Sequence, residues 1–453
     1  MTHSLGSSTS VNFVHTHNSN AIRPPVLTPT SIKNYLCTRF SSLFVPKEER
    51  SQYTWAQVLN PFGELKHMTL RNWNFFLMGF AAWTCDSMDY VAVNLNTSNL
   101  ATSLGVSIKD ITWGITLVLM FRPVGALIFG YWGDRFGRKW PYVINLCCLV
   151  VLLIGTGFIQ TYQQFLVVRS LFGIAMGGVF GFSLATSLED SPNQCRDAHA
   201  EKEMKAHLKW YQISHRTKNV LRTYWLTVVY CIFLMSGFTF MSHGSQDLYP
   251  TLLEKQLGFS ANQSMVTNCV AYLGAIVGGI VCGHSSTFMG RRLIVILAVL
   301  LGAAMIYPWA YLKGPAINAG AFFMQAGVQG AWGVIPIHLS ELSPPAYRSL
   351  VVGLSYQLGN LVSSASSTIE STVGEDFPII TATGEAGYDY SKVMSIFIGC
   401  VFGYVLFITF VGPENRGAGF EVDRDTILGE ELGGRGEVEE DLVKTKEILV
   451  HKV

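Results

Sequence analysis

Apolar runs of membrane-spanning length dominate this chain. They fall at 73–95, 109–131, 140–160, 163–187, 222–250, 264–283, 292–312, 316–339, 349–369 and 391–412. About 20 apolar residues carry a helix across a bilayer, and only a helix or a closed barrel satisfies its own backbone groups there. Ten such runs in 453 residues leave little sequence for a separate soluble core. Composition agrees. Hydrophobic types make up 49% and charged types 14%, where an ordinary soluble domain carries roughly 25% charged residues. Much of that charge crowds into the segment after Glu414. The expected fold class is an all-α polytopic membrane protein with the lipid bilayer as its main partner.

Other classes are excluded early. A net charge of +1 draws no nucleic acid, so none is expected as a partner. The nine cysteines lie mostly in apolar runs, without CxxC or Cys/His zinc spacing, and read as small apolar packers. Neither a nucleotide loop nor a catalytic triad is present, so the chain is expected to be no enzyme, to hold no metal and to need no cofactor.

Charge also sets the expected organisation. Residues 1–70, rich in Ser, Thr, Asn and Pro, read as a disordered cytoplasmic tail with a short amphipathic piece at 51–66 and no cleavable leader. Residues 71–196 hold four runs and 222–413 hold six, with a basic linker at 197–221 and a charged tail at 414–453. Arg135, Arg138 and Lys139 follow the second run, and Arg291 and Arg292 follow the sixth. The positive-inside rule puts these loops, the linker and both termini in the cytoplasm.

Self-comparison adds an internal repeat. Leu104-Gly105-Val106-Ser107 recurs as Leu257-Gly258-Phe259-Ser260, offset by 153. The stretch from Gly130 to Lys139 recurs weakly from Gly283 to Arg292 at the same offset. Glu189 to Arg196 recurs from Glu341 to Arg348, offset by 152. The chain therefore holds two related membrane halves.

The loop Gly130-Tyr-Trp-Gly-Asp134-Arg135-Phe-Gly137-Arg138-Lys139 resembles the signature loop of the major facilitator superfamily. The stretch Arg169 to Gly177 resembles its fourth-helix pattern, and Pro413 to Gly417 its ending. That resemblance implies six helices per half, so the first half is two short: about ten helices, four plus six, in place of twelve. Thr239-Phe-Met-Ser242-His243-Gly-Ser245-Gln246-Asp247-Leu-Tyr-Pro-Thr251 resembles the signature of fungal lactate/pyruvate–proton symporters, within the sialate–proton symporter group. Thr239 departs from it, since the family carries Asn there. The resemblance implies a plasma-membrane symporter of short monocarboxylates, expected to be a monomer. An incomplete and transport-inactive form, or a carrier of dicarboxylates or sialate, stand beside that expectation.

The residues themselves are compatible. His243 and Asp247 are one turn apart and share a helix face, where a carboxylate and an imidazole can exchange a proton. Ser242 and Gln246 form the adjacent stripe and can donate to a substrate carboxylate. Arg122 lies within its apolar run, and its guanidinium fork matches a carboxylate; the resemblance implies substrate binding there, beside a structural pairing. Asp86 and Asp89 share a face of the first helix and suit either a proton relay or pairing with Arg122 or Arg169. Gln357 and Asn360 suit cavity lining or helix–helix contact. Gly130, Asp134, Arg135, Gly137, Arg138, Lys139 and Arg169 are expected to serve structure and gating. Gly173 and Gly177 read as sites of close helix packing.

Overall fold

The computed structural model describes residues 29–46, 54, 58–63, 69–136, 139–188, 224–343, 348–381, 384 and 386–416. The first half comprises α2 (Leu70–Leu95), the short α3 (Thr97–Leu104), α4 (Ile108–Phe136), α5 (Lys139–Thr156) and α6 (Tyr162–Leu188), preceded by α1 (Pro29–Cys37). The second half comprises α7 (Trp225–Gln246), α8 (Ala261–Met289), α9 (Arg291–Ala304), α10 (Ile306–Tyr311), α11 (Ile317–Leu342), α12 (Arg348–Ser363), α13 (Ser366–Glu375) and α14 (Tyr390–Val411). Each apolar run of the sequence falls on one of these helices or on a consecutive pair. Among the described residues, six helices are long and apolar enough to cross a membrane by length and composition. A small antiparallel ribbon, β1 (Pro378–Ile380) with β2 (Ala386–Tyr388), joins α13 to α14.

The repeat is visible in backbone geometry. Gly105 and Gly258 both close a short helical segment with positive φ, 66° and 70°, a conformation that costs glycine little. Two residues later a serine caps the next helix. Ser107 Oγ accepts from the Asp110 backbone N–H at 3.2 Å while Asp110 accepts from the Ser107 N–H at 3.0 Å. Ser260 and Gln263 make the same reciprocal box at 3.3 and 3.0 Å. The helices that follow, α4 and α8, are each 29 residues long.

Each half then packs its second helix closely against its fourth. A Cβ at Gly125 would lie 1.7 Å from the Ile174 carbonyl oxygen, and one at Gly278 would lie 2.1 Å from that of Ala326. These two glycines are again 153 apart. Gly173 and Gly177 press on the backbone of Val118 and Arg122 in the same way, so the expectation of close packing holds. Small residues let backbones approach where lipid supplies no hydrophobic drive between helices. Gly278→Val is therefore expected to cost about 1–3 kcal/mol or to block assembly. A lowered melting temperature or lost monodispersity of the detergent-purified protein would register it, and wild-type behaviour would contradict it.

Two expectations need correction. Part of the 1–70 tail is ordered: α1 and the turn after it dock on the end of α14. Tyr35 Oη donates to the Val411 carbonyl at 2.9 Å, and Arg39 Nη1 to that of Gly412 at 2.8 Å. The piece at 51–66 lies largely outside the described residues, as does the linker at 197–221. Arg291 and Arg292, expected in a loop, are the first two residues of α9. Both are buried at the start of α9. Arg291 forks onto Glu341 of α11 at 3.1 and 3.2 Å. Arg292 donates to the Thr409 carbonyl at 2.9 Å, to the Phe410 carbonyl, and to Ser42 Oγ at 2.9 Å. Glu414 accepts from the Arg291 backbone N–H at 2.7 Å.

Candidate functional site

The halves meet along α4 against α12 and α13, and along α2 against the end of α7. Toward the start of α4, away from the basic loops, Lys109 pairs with Glu375 at 3.2 Å. Thr112 Oγ1 lies 3.2 Å from Ser371 Oγ, and Thr116 Oγ1 lies 2.8 Å from Thr368 Oγ1. These contacts close that end.

Beside them sits a buried polar cluster shared by both halves. Asp247, at the cap of α7, accepts from Tyr90 Oη at 3.0 Å and from Asn94 Nδ2 at 2.8 Å, both on α2. His243 Nδ1 lies 3.1 Å from Asp247 Oδ2 and 3.1 Å from Tyr90 Oη. The Asp247 side chain is 2% exposed and that of His243 12%. An ionised carboxylate removed from water needs such donors.

Arg122 joins through the other side of Tyr90. Its guanidinium carbon lies 5.8 Å from the Tyr90 ring centroid. The side chain is buried, its Nη2 reaches the Met176 sulfur, and its Nε has no partner among the described residues. Among the described residues it has no carboxylate partner. A buried guanidinium is stabilised by an anion or by close hydrogen-bond acceptors.

The structure splits the motif helix into two faces. His243 and Asp247 face the first half. Ser242 and Gln246 face α11, where Gln329 Nε2 donates to Ser242 Oγ at 3.2 Å and Gln246 Nε2 donates to Gln325 Oε1 at 2.8 Å. Gln325 Nε2 in turn donates to Ser245 Oγ at 3.1 Å. Thr239 Oγ1 donates to the Gly359 carbonyl at 3.0 Å and so ties α7 to α12.

Gln357 and Asn360 are buried on α12. Gln357 Nε2 lies 3.4 Å from the Gly177 carbonyl in the opposite half, while its Oε1 and the Asn360 Nδ2 have no partner. Arg169 is buried on α6 with its guanidinium carbon 4.9 Å from the Phe172 ring centroid. Gly130 faces open space, and Lys139 is exposed at the start of α5. The side chains of Asp86, Asp89, Asp134, Arg135 and Arg138, together with Gly137, lie outside the described residues. Tyr90, Asn94, Gln325 and Gln329 did not stand out in the sequence. Tyr90 and Asn94 are one turn apart and directly follow the Asp86/Asp89 pair, a signal that could have found them.

Two like-built helical halves with polar groups buried between them define a membrane transporter of the facilitator type. Comparison with known proteins gives the family. The profile of the family described as "Sugar (and other) transporter" matches residues 62–201 and 185–425. The chain belongs to this family, within the major facilitator superfamily. The two matched segments overlap at residues 185–201.

Among curated proteins, the "Carboxylic acid transporter protein homolog" of Saccharomyces cerevisiae is 35% identical over 86% of this chain and 75% of that protein. Among solved structures, a D-xylose–proton symporter superposes with a TM-score of 0.56 at 16% identity, covering 76% of this chain and 98% of the other. The nucleoside transporter NupG gives 0.54 at 12% identity over 75% and 98%. These two likenesses are in fold.

Proposed function

We propose that this chain is a proton-coupled plasma-membrane transporter of short monocarboxylates such as lactate and pyruvate. The observation that carries this reading is Arg122, a buried guanidinium beside a Tyr90–His243–Asp247 cluster, without a carboxylate of its own among the described residues. A substrate carboxylate is its natural counter-ion. The relative described as a carboxylic acid transporter homologue points to the same cargo class.

On this reading His243 and Asp247 take up the proton, and Tyr90 links that step to the bound anion. Proton and substrate enter as a neutral pair, which lowers the cost of carrying charge through the site. The halves then rock about the fixed site. Ser242 and Gln246 brace the α7–α11 contact, while Gln357 and Asn360 offer buried amides near the opposing half. Asp86 and Asp89 are proposed to pass protons along α2. The chain works as a monomer, with protons as coupling ion and no resident cofactor.

The test is uptake of labelled lactate in cells lacking their own carriers. Arg122→Ala is expected to lower the initial rate by at least about tenfold at equal surface expression, the loss of a buried charge pair. Uptake at the wild-type rate would contradict the assignment. A second reading, a helix-deficient chain that does not transport, is favoured by the first half's showing four long helices, α2, α4, α5 and α6, among the described residues. Parental uptake by this 453-residue chain excludes it.

A further inference from the structure

A second carboxylate lies buried beside the Asp247 cluster, outside the motif and outside the spans expected from sequence. Glu370 sits on α13, beyond a break in the helix at Ser364 and Ala365 that separates α12 from α13. It is 0% exposed, and neither carboxylate oxygen has a hydrogen-bond partner among the described residues. Its Oε1 lies against the bare backbone of Gly244, where a Cβ would stand 3.3 Å away. Gly244 is the residue between His243 and Ser245 of the motif. One turn earlier, Ser366 and Ser367 bury hydroxyls that are also without partners. An ionised carboxylate in that setting costs far more than the neutral acid.

The surroundings narrow the choice. α13 packs against α4, α7 and α14. The charged or titratable side chains on those elements are Lys109, Asp110, Arg122, Tyr131, Asp134 and Arg135 on α4. Tyr230, Cys231, His243 and Asp247 belong to α7 and its cap, and Tyr390, Lys392, Cys400 and Tyr404 to α14. Lys109 is engaged by Glu375, Lys392 lies over the Phe377 ring at 4.0 Å, and Arg122 lies by Tyr90. Asp247 lies three residues beyond Gly244, whose backbone the Glu370 carboxylate meets.

We infer that Glu370 is a second proton-carrying group of the transport cycle, exchanging one proton with the Asp247–His243 cluster across the Gly244 backbone. The exchange moves a proton only: the O–H or N–H bond at the cluster breaks as the O–H bond at Glu370 forms. This inference rests on the proton-coupled reading above and deepens it.

The experiment compares wild type and Glu370→Gln in proteoliposomes. Glutamine keeps the shape of the neutral acid and cannot release a proton. Glu370→Gln is expected to retain exchange of labelled for unlabelled lactate at equal pH. Its accumulation driven by an inward proton gradient is expected to fall by about tenfold or more. Gradient-driven accumulation equal to wild type overturns the inference alone. Wild-type accumulation indifferent to the gradient overturns both the inference and the proton-coupled reading. Should the variant fail to reach the membrane, dicyclohexylcarbodiimide, which adds to protonated carboxyls in apolar surroundings, is applied to the wild type. An adduct on Glu370 that increases as pH falls supports the inference. A Glu370 peptide unmodified from mildly basic to mildly acidic pH overturns it.

Discussion

Asp247→Asn is expected to remove proton-driven lactate uptake while leaving the protein folded. Asparagine has nearly the same size as aspartate, so packing at the end of α7 survives. The chemistry does not. Asp247 accepts from Tyr90 and Asn94 and pairs with His243, all within 3.1 Å. An amide turns one acceptor oxygen into a donor, sets it against the Asn94 amide or Tyr90 hydroxyl, and binds no proton. Hydrogen bonds to charged groups contribute about 1.5–3 kcal/mol each, so a fall of roughly ten- to a hundredfold in initial rate is expected. Because Tyr90 and Asn94 belong to the other half, the variant also weakens a tie between the halves, and exchange should become less dependent on external pH. Uptake within about twofold of wild type at equal expression would show that Asp247 is a structural clamp.

The largest stability effect is expected at the opposite end of the second half. Glu341 accepts two bonds from the Arg291 guanidinium, whose Nη1 also donates to Ser286 Oγ at 2.7 Å. Both side chains of the pair are under a tenth exposed. Glu341→Ala leaves a guanidinium buried without its counter-charge, a loss of about 3–5 kcal/mol. Thermal unfolding of the detergent-purified variant should shift well below wild type. Replacing both partners, Arg291→Met with Glu341→Leu, should recover most of that loss, because no charge is then stranded. A single variant as stable as wild type would contradict this account of the pair.

Much of the architecture was legible because lipid allows few solutions. Runs of about 20 apolar residues become helices whatever their partners. The Leu-Gly-x-Ser landmark survived as geometry: a positive-φ glycine followed by a serine cap at Ser107 and at Ser260. Gly173 and Gly177 declared close packing for the same reason, since a side chain there would meet backbone.

The site was legible in part. His243, Asp247 and Arg122 stood out as charges inside apolar runs, and the fold brings them around Tyr90. What periodicity could not supply was which face of α7 meets which neighbour. Spacing puts Ser242 and Gln246 on the stripe adjacent to His243 and Asp247, and the fold turns that stripe toward Gln329 and Gln325 of α11. Tyr90 and Asn94 are ordinary residues by type, and become functional candidates only because α2 crosses the end of α7. Glu370 falls at the edge of an apolar run, where an acidic residue reads as the start of a loop. Only the burial of α13 against α4, α7 and α14 reveals it. Arg291 and Arg292 illustrate the converse, since cations at a helix start read as solvated until α1, α11 and the end of α14 are seen to cover them.

The central claim is that proton movement and monocarboxylate movement share one site. The direct measurement is the internal pH of sealed proteoliposomes containing the purified 453-residue chain, followed with a trapped dye as lactate is added outside without a starting gradient. The account predicts internal acidification that saturates with lactate, is lost in Asp247→Asn, and is absent from protein-free vesicles. Saturable uptake of labelled lactate with no accompanying pH change would contradict it.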